Sequence, residues 1–224
     1  MNNLNNATLS SQMALLAIAL AVPDPVQSAE TASVSQHDLQ AKLEYCKTCH
    51  GLSAEGFRGA GATMPRLAGQ QKEYLESQLM AFISGKRKNK YMSNVARVLR
   101  QEMCTALAKH FEDLNPKPIG ATGASNEMVD AGKKIYEEGI PESNIQPCSL
   151  CHGANAEGGA GPRLAGQLDE YTFKTLTHWS DERDASAIMA PIARSLNEMQ
   201  ISAVAAYVSG LEPSSVQMAK QRRR

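Results

Sequence analysis

Apolar side chains recur every three or four residues in five stretches of this chain, which is the spacing of one helix face. They predict helices over residues 71–84, 100–114, 127–138, 168–179 and 197–211. No stretch alternates between apolar and polar residues cleanly enough to predict a strand. The Gly- and Ala-rich residues 51–61 are interpreted as a loop. The pattern therefore favours an all-α fold.

Two copies of one domain follow each other along the chain. The hexapeptide Pro-Arg-Leu-Ala-Gly-Gln at residues 65–70 recurs at 162–167, an offset of 97 residues that holds without a gap as far as Leu99 and Leu196. The motif Cys-x-x-Cys-His at 46–50 recurs at 148–152, so the loop after the first copy is five residues longer than the loop after the second. Such self-similarity indicates a duplicated domain.

Composition places the boundaries between these units. Residues 115–124 contain two prolines and two glycines, which is typical of a linker. Ser125 or Asn126 then caps the next helix. The predicted organisation is a leader over residues 1–32, a first domain over 33–114, the linker over 115–124, a second domain over 125–212 and a basic tail over 213–224.

The leader contains an apolar run from Met13 to Val22, followed by two prolines. Its 10 residues are too few to cross a bilayer, which needs about 20. The run has the length of the core of a secretory signal, although no Lys or Arg precedes it. We therefore expect export; the alternative is a terminal tail with an incidental apolar patch.

Composition narrows the function classes. Lys and Arg number 23, as do Asp and Glu, so no bulk charge attracts nucleic acid. Aromatic residues make up 5% of the chain, too few to fill two small cores well, and a large flat cofactor would complete them. Five cysteines, an odd number, argue against a framework of disulfides alone.

Cys-x-x-Cys-His is the attachment motif of c-type haem. Two cysteines three residues apart lie on one side of a helical turn, where their sulfurs bond the two vinyl groups of the haem, and the next residue binds the iron. Zinc is the alternative, but it needs four ligands and each copy offers three in close array. The residues predicted to hold two covalent haem c groups are Cys46, Cys49 and His50, and Cys148, Cys151 and His152.

A second iron ligand in each half must occupy equivalent positions in the two copies. Met92 and Met189 do so, each seven residues before the leucine at the next helix, Leu99 or Leu196. Met64 and Met103 have no methionine counterpart. A histidine–methionine pair fills both axial positions, which closes the iron to small ligands and suits a one-electron carrier. The alternative for any single methionine is a core or surface residue.

The repeated hexapeptide suggests a set of supporting residues. A ligating His usually donates its other ring N–H to an acceptor, and the carbonyls of Pro65 and Pro162 are candidates. Arg66 and Arg163 are candidates to neutralise the haem propionates. The alternatives are prolines that only turn the chain and arginines that are solvated.

Residues 38–212 resemble the cytochrome c4 family, because two Cys-x-x-Cys-His motifs, two Pro-x-Leu-Ala-Gly-Gln segments and two late methionines occur in tandem. The resemblance implies two class I cytochrome c domains, each a small helical bundle, with haems facing each other across a pseudo-twofold interface. It also implies the acceptor role for Pro65 and Pro162 and the ligand role for Met92 and Met189. Members are periplasmic or membrane-bound carriers that often pass electrons from a quinol-oxidising complex toward a terminal oxidase or other cytochromes.

The resemblance also has departures. The helix before Cys46 lacks the pair formed in the second half by Gly132 and Tyr136, and His110 stands in place of Tyr207.

In the predicted helix 197–211, Ile201, Val204 and Val208 lie on one apolar stripe, and Cys104 aligns with Ile201. Cys104 is therefore interpreted as a small buried hydrophobe, and the alternative is disulfide dimerisation.

An electron carrier of this kind is expected to have no small-molecule substrate. Two other functions stay open beside the carrier. One is a dihaem enzyme, such as a peroxidase or a sulfur-compound dehydrogenase, which needs a labile iron position. The other is an electron-transfer subunit of a larger oxidase or reductase. Peripheral membrane association is also left open.

Charge is unevenly distributed between the halves. Residues 30–120 carry 13 basic and 9 acidic residues, whereas residues 121–224 carry 10 and 13. Four basic residues lie just before Met92, within 86–90. They form either a docking patch for an acidic partner or a solvated loop.

Overall fold

The computed structural model describes residues 34–59, 62–179 and 188–212. The first half contains α1 (Gln36–His50), β1 (Phe57–Gly59), β2 (Ala62–Met64), α2 (Lys72–Ile83), α3 (Met92–Ala96) and α4 (Gln101–Glu112). The second half contains α5 (Asn126–Glu138), a 3₁₀ turn (Pro141–Ser143), α6 (Ser149–His152), α7 (Asp169–Thr177), α8 (Met189–Ser195) and α9 (Glu198–Gly210). The five predicted helices end within two residues of the observed ones, and the all-α fold class is confirmed.

Side-chain caps explain where several helices begin. Ser35 accepts a hydrogen bond from the backbone N–H of Asp38 at 3.0 Å at the start of α1. Ser125, rather than Asn126, is the N-cap of α5, and its hydroxyl accepts from the N–H of Met128 at 3.3 Å. Asn197 and Gln200 form a reciprocal capping box on α9. These bonds satisfy N–H groups that have no partner within the helix.

The prediction of a loop without strands at residues 51–61 is wrong. β1 and β2 form an antiparallel hairpin in which Phe57 pairs with Met64 and Gly59 with Ala62. The hairpin occupies the part of the loop that is five residues longer in the first half. With three residues in each strand, there are too few positions for an alternating pattern to be recognised.

The core of the first half lies between α1, α2 and α4. Leu43 of α1 and Leu75 of α2 pack against Leu107 and Phe111 of α4, and all four are buried. The predicted apolar stripe of α4 is therefore confirmed. Cys104 lies on the same helix with 0% of its surface exposed, as expected for a small buried hydrophobe.

The core of the second half depends on a close crossing of α5 and α9. A Cβ added at Gly132 would lie 1.9 Å from the carbonyl oxygen of Ala203, so only glycine permits this approach. Tyr136 is fully buried, and its hydroxyl donates to the carbonyl of Gly153 at 2.6 Å. Its ring lies 5.5 Å from that of Tyr207. The first half lacks this glycine–tyrosine arrangement, as the sequence indicates, and Leu43 of α1 is buried in its core.

Both halves belong to one compact unit. The linker contributes to it, because the carbonyl of Pro116 accepts from Arg66 at 2.8 Å and that of Gly120 accepts from Arg58 at 2.6 Å. Among the described residues, no helix is both long and apolar enough to cross a membrane. The predicted leader and basic tail lie outside the described residues, and the domain boundaries at 114/115 and 124/125 stay predictions.

Two candidate haem-binding sites

Each half places a buried histidine against a proline carbonyl. His50 ends α1 and His152 ends α6, and each imidazole is only 6% exposed. The Nδ1 atom of His50 lies 2.7 Å from the carbonyl oxygen of Pro65, and that of His152 lies 2.7 Å from the oxygen of Pro162. A carbonyl oxygen only accepts, so Nδ1 carries the proton and Nε2 presents its lone pair.

Burial favours the neutral form of both imidazoles. It lowers the pKa of His50 and of His152, and the hydrogen bond to the proline carbonyl opposes this only in part. A neutral imidazole held by its Nδ1–H is the form that binds a metal through Nε2.

One loop geometry, used twice, brings each proline to its histidine. Ala54 and Ala156 adopt the left-handed conformation, with φ of 57° and 55°, and both are fully buried. Their carbonyls accept hydrogen bonds from the two residues after each Pro-Arg pair, at distances between 2.8 and 3.0 Å. Left-handed backbone is uncommon for alanine. Its occurrence at equivalent positions indicates that both halves need the same loop conformation.

The paired cysteines lie next to these histidines with their thiols free of disulfides. In each pair the first cysteine is partly buried and the second is exposed. Burial raises the pKa of Cys46 and of Cys148 to about 11 before any bond to a cofactor forms. Within the described residues, no group of three or more His, Cys, Asp or Glu side chains is arranged to hold a metal ion.

A cavity of about 260 Å³ opens beside the first cysteine pair. Its lining is mostly apolar and comes from α1 and from the segment that starts with α3: Lys42, Tyr45, Cys46, Asn94, Val95, Val98 and Leu99. An apolar space between the attachment cysteines and the helix that carries Met92 fits one edge of a porphyrin. The residues that line this cavity therefore fit the haem group that the Cys-x-x-Cys-His motif predicts.

The two candidate methionine ligands occupy equivalent places in the fold. Met92 is the first residue of α3 and Met189 the first residue of α8, and both are half-buried. Met103 lies in the apolar core and is a core residue, whereas Met199 is 77% exposed and is a surface residue. Iron ligation by Met92 and Met189 stays a prediction.

The repeated hexapeptides meet each other, which sequence reasoning missed. The side-chain amide of Gln70 donates to the carbonyl of Arg163 at 2.9 Å and accepts from its N–H at 2.9 Å. Gln167 makes the same pair of bonds with Arg66, at 3.1 and 2.8 Å. This reciprocal exchange is a pseudo-twofold contact between the two halves. Gln70 and Gln167 end the two copies of the hexapeptide, and this repetition was the available signal. No sequence rule, however, assigned a partner to either glutamine.

Arg66 and Arg163 are buried at the same contact rather than solvated. Their guanidinium groups donate to oxygens of the chain: those of Ala68, Pro116 and Asn115 for Arg66, and those of Ala165, Gly69 and Asn115 for Arg163. Burial lowers the pKa of Arg66 to about 10 and, together with the charge of Arg66, that of Arg163 to about 9. In the described part of the chain neither forms an ion pair, and the buried Nη1 of Arg66 has no hydrogen-bond partner. Their predicted contact with propionates stays a prediction.

Comparison with known proteins gives a consistent result. A family model described as cytochrome c matches residues 129–212. A cytochrome c4 from Thiocapsa roseopersicina is 35% identical over 74% of this chain and 86% of its own length. A protein of Stutzerimonas stutzeri named thiosulfate dehydrogenase electron acceptor is 36% identical over 74% of this chain and 78% of its own. The solved cytochrome c4 structure of Acidithiobacillus ferrooxidans is 35% identical, with a TM-score of 0.65 over 75% of this chain and 99% of that one.

Proposed function

The chain belongs to the cytochrome c4 family, and on this basis we propose which residues bind its two haem c groups and which partners it serves. It is a dihaem c-type electron carrier. The proposed covalent attachments are Cys46 and Cys49 in the first half and Cys148 and Cys151 in the second. The proposed iron ligands are His50 with Met92, and His152 with Met189.

One duplicated contact supports these ligands above all, namely the 2.7 Å approach of each histidine Nδ1 to a proline carbonyl. It leaves Nε2 of both histidines available in the same tautomer. A bound haem supplies an iron that takes up and releases one electron at a time. The histidine and methionine of this chain would both hold the iron and leave no position for oxygen or peroxide, which separates a carrier from a catalyst.

Burial of two cations at the interface supports the proposed contact of Arg66 and Arg163 with haem propionates. Two guanidinium groups removed from water without a carboxylate partner are costly, and anionic oxygens nearby would offset that cost. The unpartnered Nη1 of Arg66 is a suitable donor.

We propose a periplasmic carrier that receives electrons from a quinol-oxidising complex and passes them to a terminal oxidase or another cytochrome. The name of the Stutzerimonas relative supports a thiosulfate dehydrogenase as a second class of donor. In that arrangement this chain accepts the electrons and the partner performs the chemistry. Residues 1–32 would act as the export signal, with one haem domain over 33–114 and another over 125–212.

Substitution of the methionines tests the ligand proposal. We expect Met92→Ala and Met189→Ala each to remove about half of the weak long-wavelength absorption band of oxidised methionine-ligated haem, and each to let one haem bind cyanide, because one axial position opens in each variant. Met199→Ala is the matched control, since that side chain is 77% exposed and should leave the spectrum unchanged. An intact band in both variants would contradict the proposed ligands. Rapid cyanide binding by the unmodified protein would favour the dihaem enzyme.

A further inference from the structure

The segment around Met92 is strongly basic, whereas its counterpart is not. Residues 86–100 contain six Lys or Arg and no Asp or Glu. The equivalent residues 183–197, displaced by the repeat offset of 97, contain two basic residues and one acidic residue. Because duplication made the two segments equivalent in position, the charge difference belongs to the first half alone.

Five of the six basic side chains are exposed. These are Lys86, Lys88, Lys90, Arg97 and Arg100. Among the described residues none of them forms an ion pair. We define them as the basic patch.

The sixth basic residue, Arg87, serves the fold instead. Its guanidinium lies 4.6 Å from the centre of the Phe82 ring and donates to the hydroxyl of Tyr171 in the second half at 2.8 Å. Within the basic patch, the described structure gives one ring contact, between the Lys90 ammonium and the Tyr91 ring at 5.6 Å, and all five side chains stay exposed to solvent.

Part of the basic patch lies in the segment that lines the cavity beside the first candidate haem site. Val95, Val98 and Leu99 line the cavity next to Cys46 and lie in the same segment as the exposed cations. Tyr45, Tyr91 and Val98 are exposed there. An apolar centre bordered by unpaired charges of one sign is the composition of a transient docking surface.

We propose that the basic patch docks an acidic face of a redox protein, so that electrons between this chain and that partner pass through the first half. This inference rests on the proposed haem site at Cys46, His50 and Met92. The partner oxidises or reduces the first haem by one electron, and the second half, with its excess of acidic residues, serves a partner of different charge. Steering of this kind acts over about 8 Å at physiological salt and raises association rates by roughly 10-fold or more.

The test measures electron transfer from a reduced, net-negative [2Fe–2S] ferredoxin, used as the probe, to the oxidised holoprotein. We expect Lys86→Glu/Lys88→Glu to lower the bimolecular rate constant about tenfold at low ionic strength, with the difference disappearing at high salt. Lys133→Glu/Lys134→Glu is the matched control, because it makes the same charge change at exposed positions of α5. Its rate constant should stay within about twofold of the parent protein.

Several results would overturn the docking proposal. Equal losses in both variants would show that net charge alone matters, and unchanged rates in both would show that the patch is not used. Binding to phosphatidylglycerol vesicles that the patch variant loses, with its ferredoxin rate intact, would assign the patch to a membrane surface. If the parent protein dimerised at high concentration and the patch variant did not, with its ferredoxin rate intact, the basic patch would be assigned to contact with a second copy of this chain. Failure of the haem site itself is distinguishable, because it would appear in the absorption spectrum of the parent protein.

Discussion

At the residue scale, one side-chain amide in each half holds the backbone of the other half. Gln70 satisfies both the N–H and the C=O of Arg163, and Gln167 does the same for Arg66. All four residues are buried, so water does not replace these bonds when they are lost. A buried backbone group left without a partner costs about 1–3 kcal/mol, which makes each glutamine an important determinant of stability.

We expect Gln70→Met, which keeps the side-chain length but removes the amide, to lower the free energy of unfolding of the holoprotein by about 2–4 kcal/mol, because it leaves two buried backbone groups unsatisfied. Denaturant titration followed by circular dichroism measures the change. Gln71→Met is the control, since Gln71 makes a more exposed bond to the carbonyl of Gly159 and its loss should cost about 0.5 kcal/mol or less. Equal losses at both positions would contradict the role of the amide pair.

Sequence reasoning at this scale succeeded where a motif specifies its own geometry. Cys-x-x-Cys-His predicted adjacent thiols and a histidine, and the repeated proline carbonyl lies at Nδ1 as expected. It did not reveal the partner of Gln70, because a contact between residues 93 positions apart depends on how two domains dock. For the same reason, the sequence did not decide whether Arg66 and Arg163 contact propionates or are solvated.

At the scale of elements, the hairpin of β1 and β2 connects the halves. Arg58 of β1 pairs with Asp169, the first residue of α7, and also donates to the carbonyl of Gly120 in the linker. Thr63 of β2 donates to Glu170 at 2.5 Å. The hairpin that lengthens the first loop therefore builds a contact with the second half, in addition to the glutamine exchange. Sequence patterns predicted the longer helices well, but an insertion this short carries no periodic signal.

A double-mutant cycle measures what the hairpin contact contributes. We expect Arg58→Met and Asp169→Asn to show a coupling energy of about 1–3 kcal/mol, because both side chains are less than one-fifth exposed, at 19% and 18%. The exposed pair Lys109–Asp113, at 55% and 54%, is the control and should give a clearly smaller coupling energy, because water screens it. Similar coupling in both cycles would show that the hairpin pair acts as an ordinary surface ion pair.

At the scale of the whole molecule, the interface should make the two halves unfold together. The glutamine exchange, the hairpin contact and the linker carbonyls all bridge residues of different halves. With four cysteines bonded to haem, as proposed, Cys104 is the remaining thiol of the five. It lies in the first half, 0% exposed, and burial raises its pKa to about 11, so it reacts only when that half opens.

We therefore expect a change in the second half to expose a thiol in the first. In the holoprotein, Gln167→Met should raise the rate at which a maleimide labels Cys104 by about tenfold or more, since each 1.4 kcal/mol lost from a shared opening reaction is a factor of ten. Mass spectrometry of the labelled protein measures the rate, and Gln71→Met should leave it within about twofold of the parent rate. If Gln167→Met lowers global stability while labelling of Cys104 keeps its parent rate, the first half opens independently of the second. The interface would then position the haem domains without making their folding cooperative.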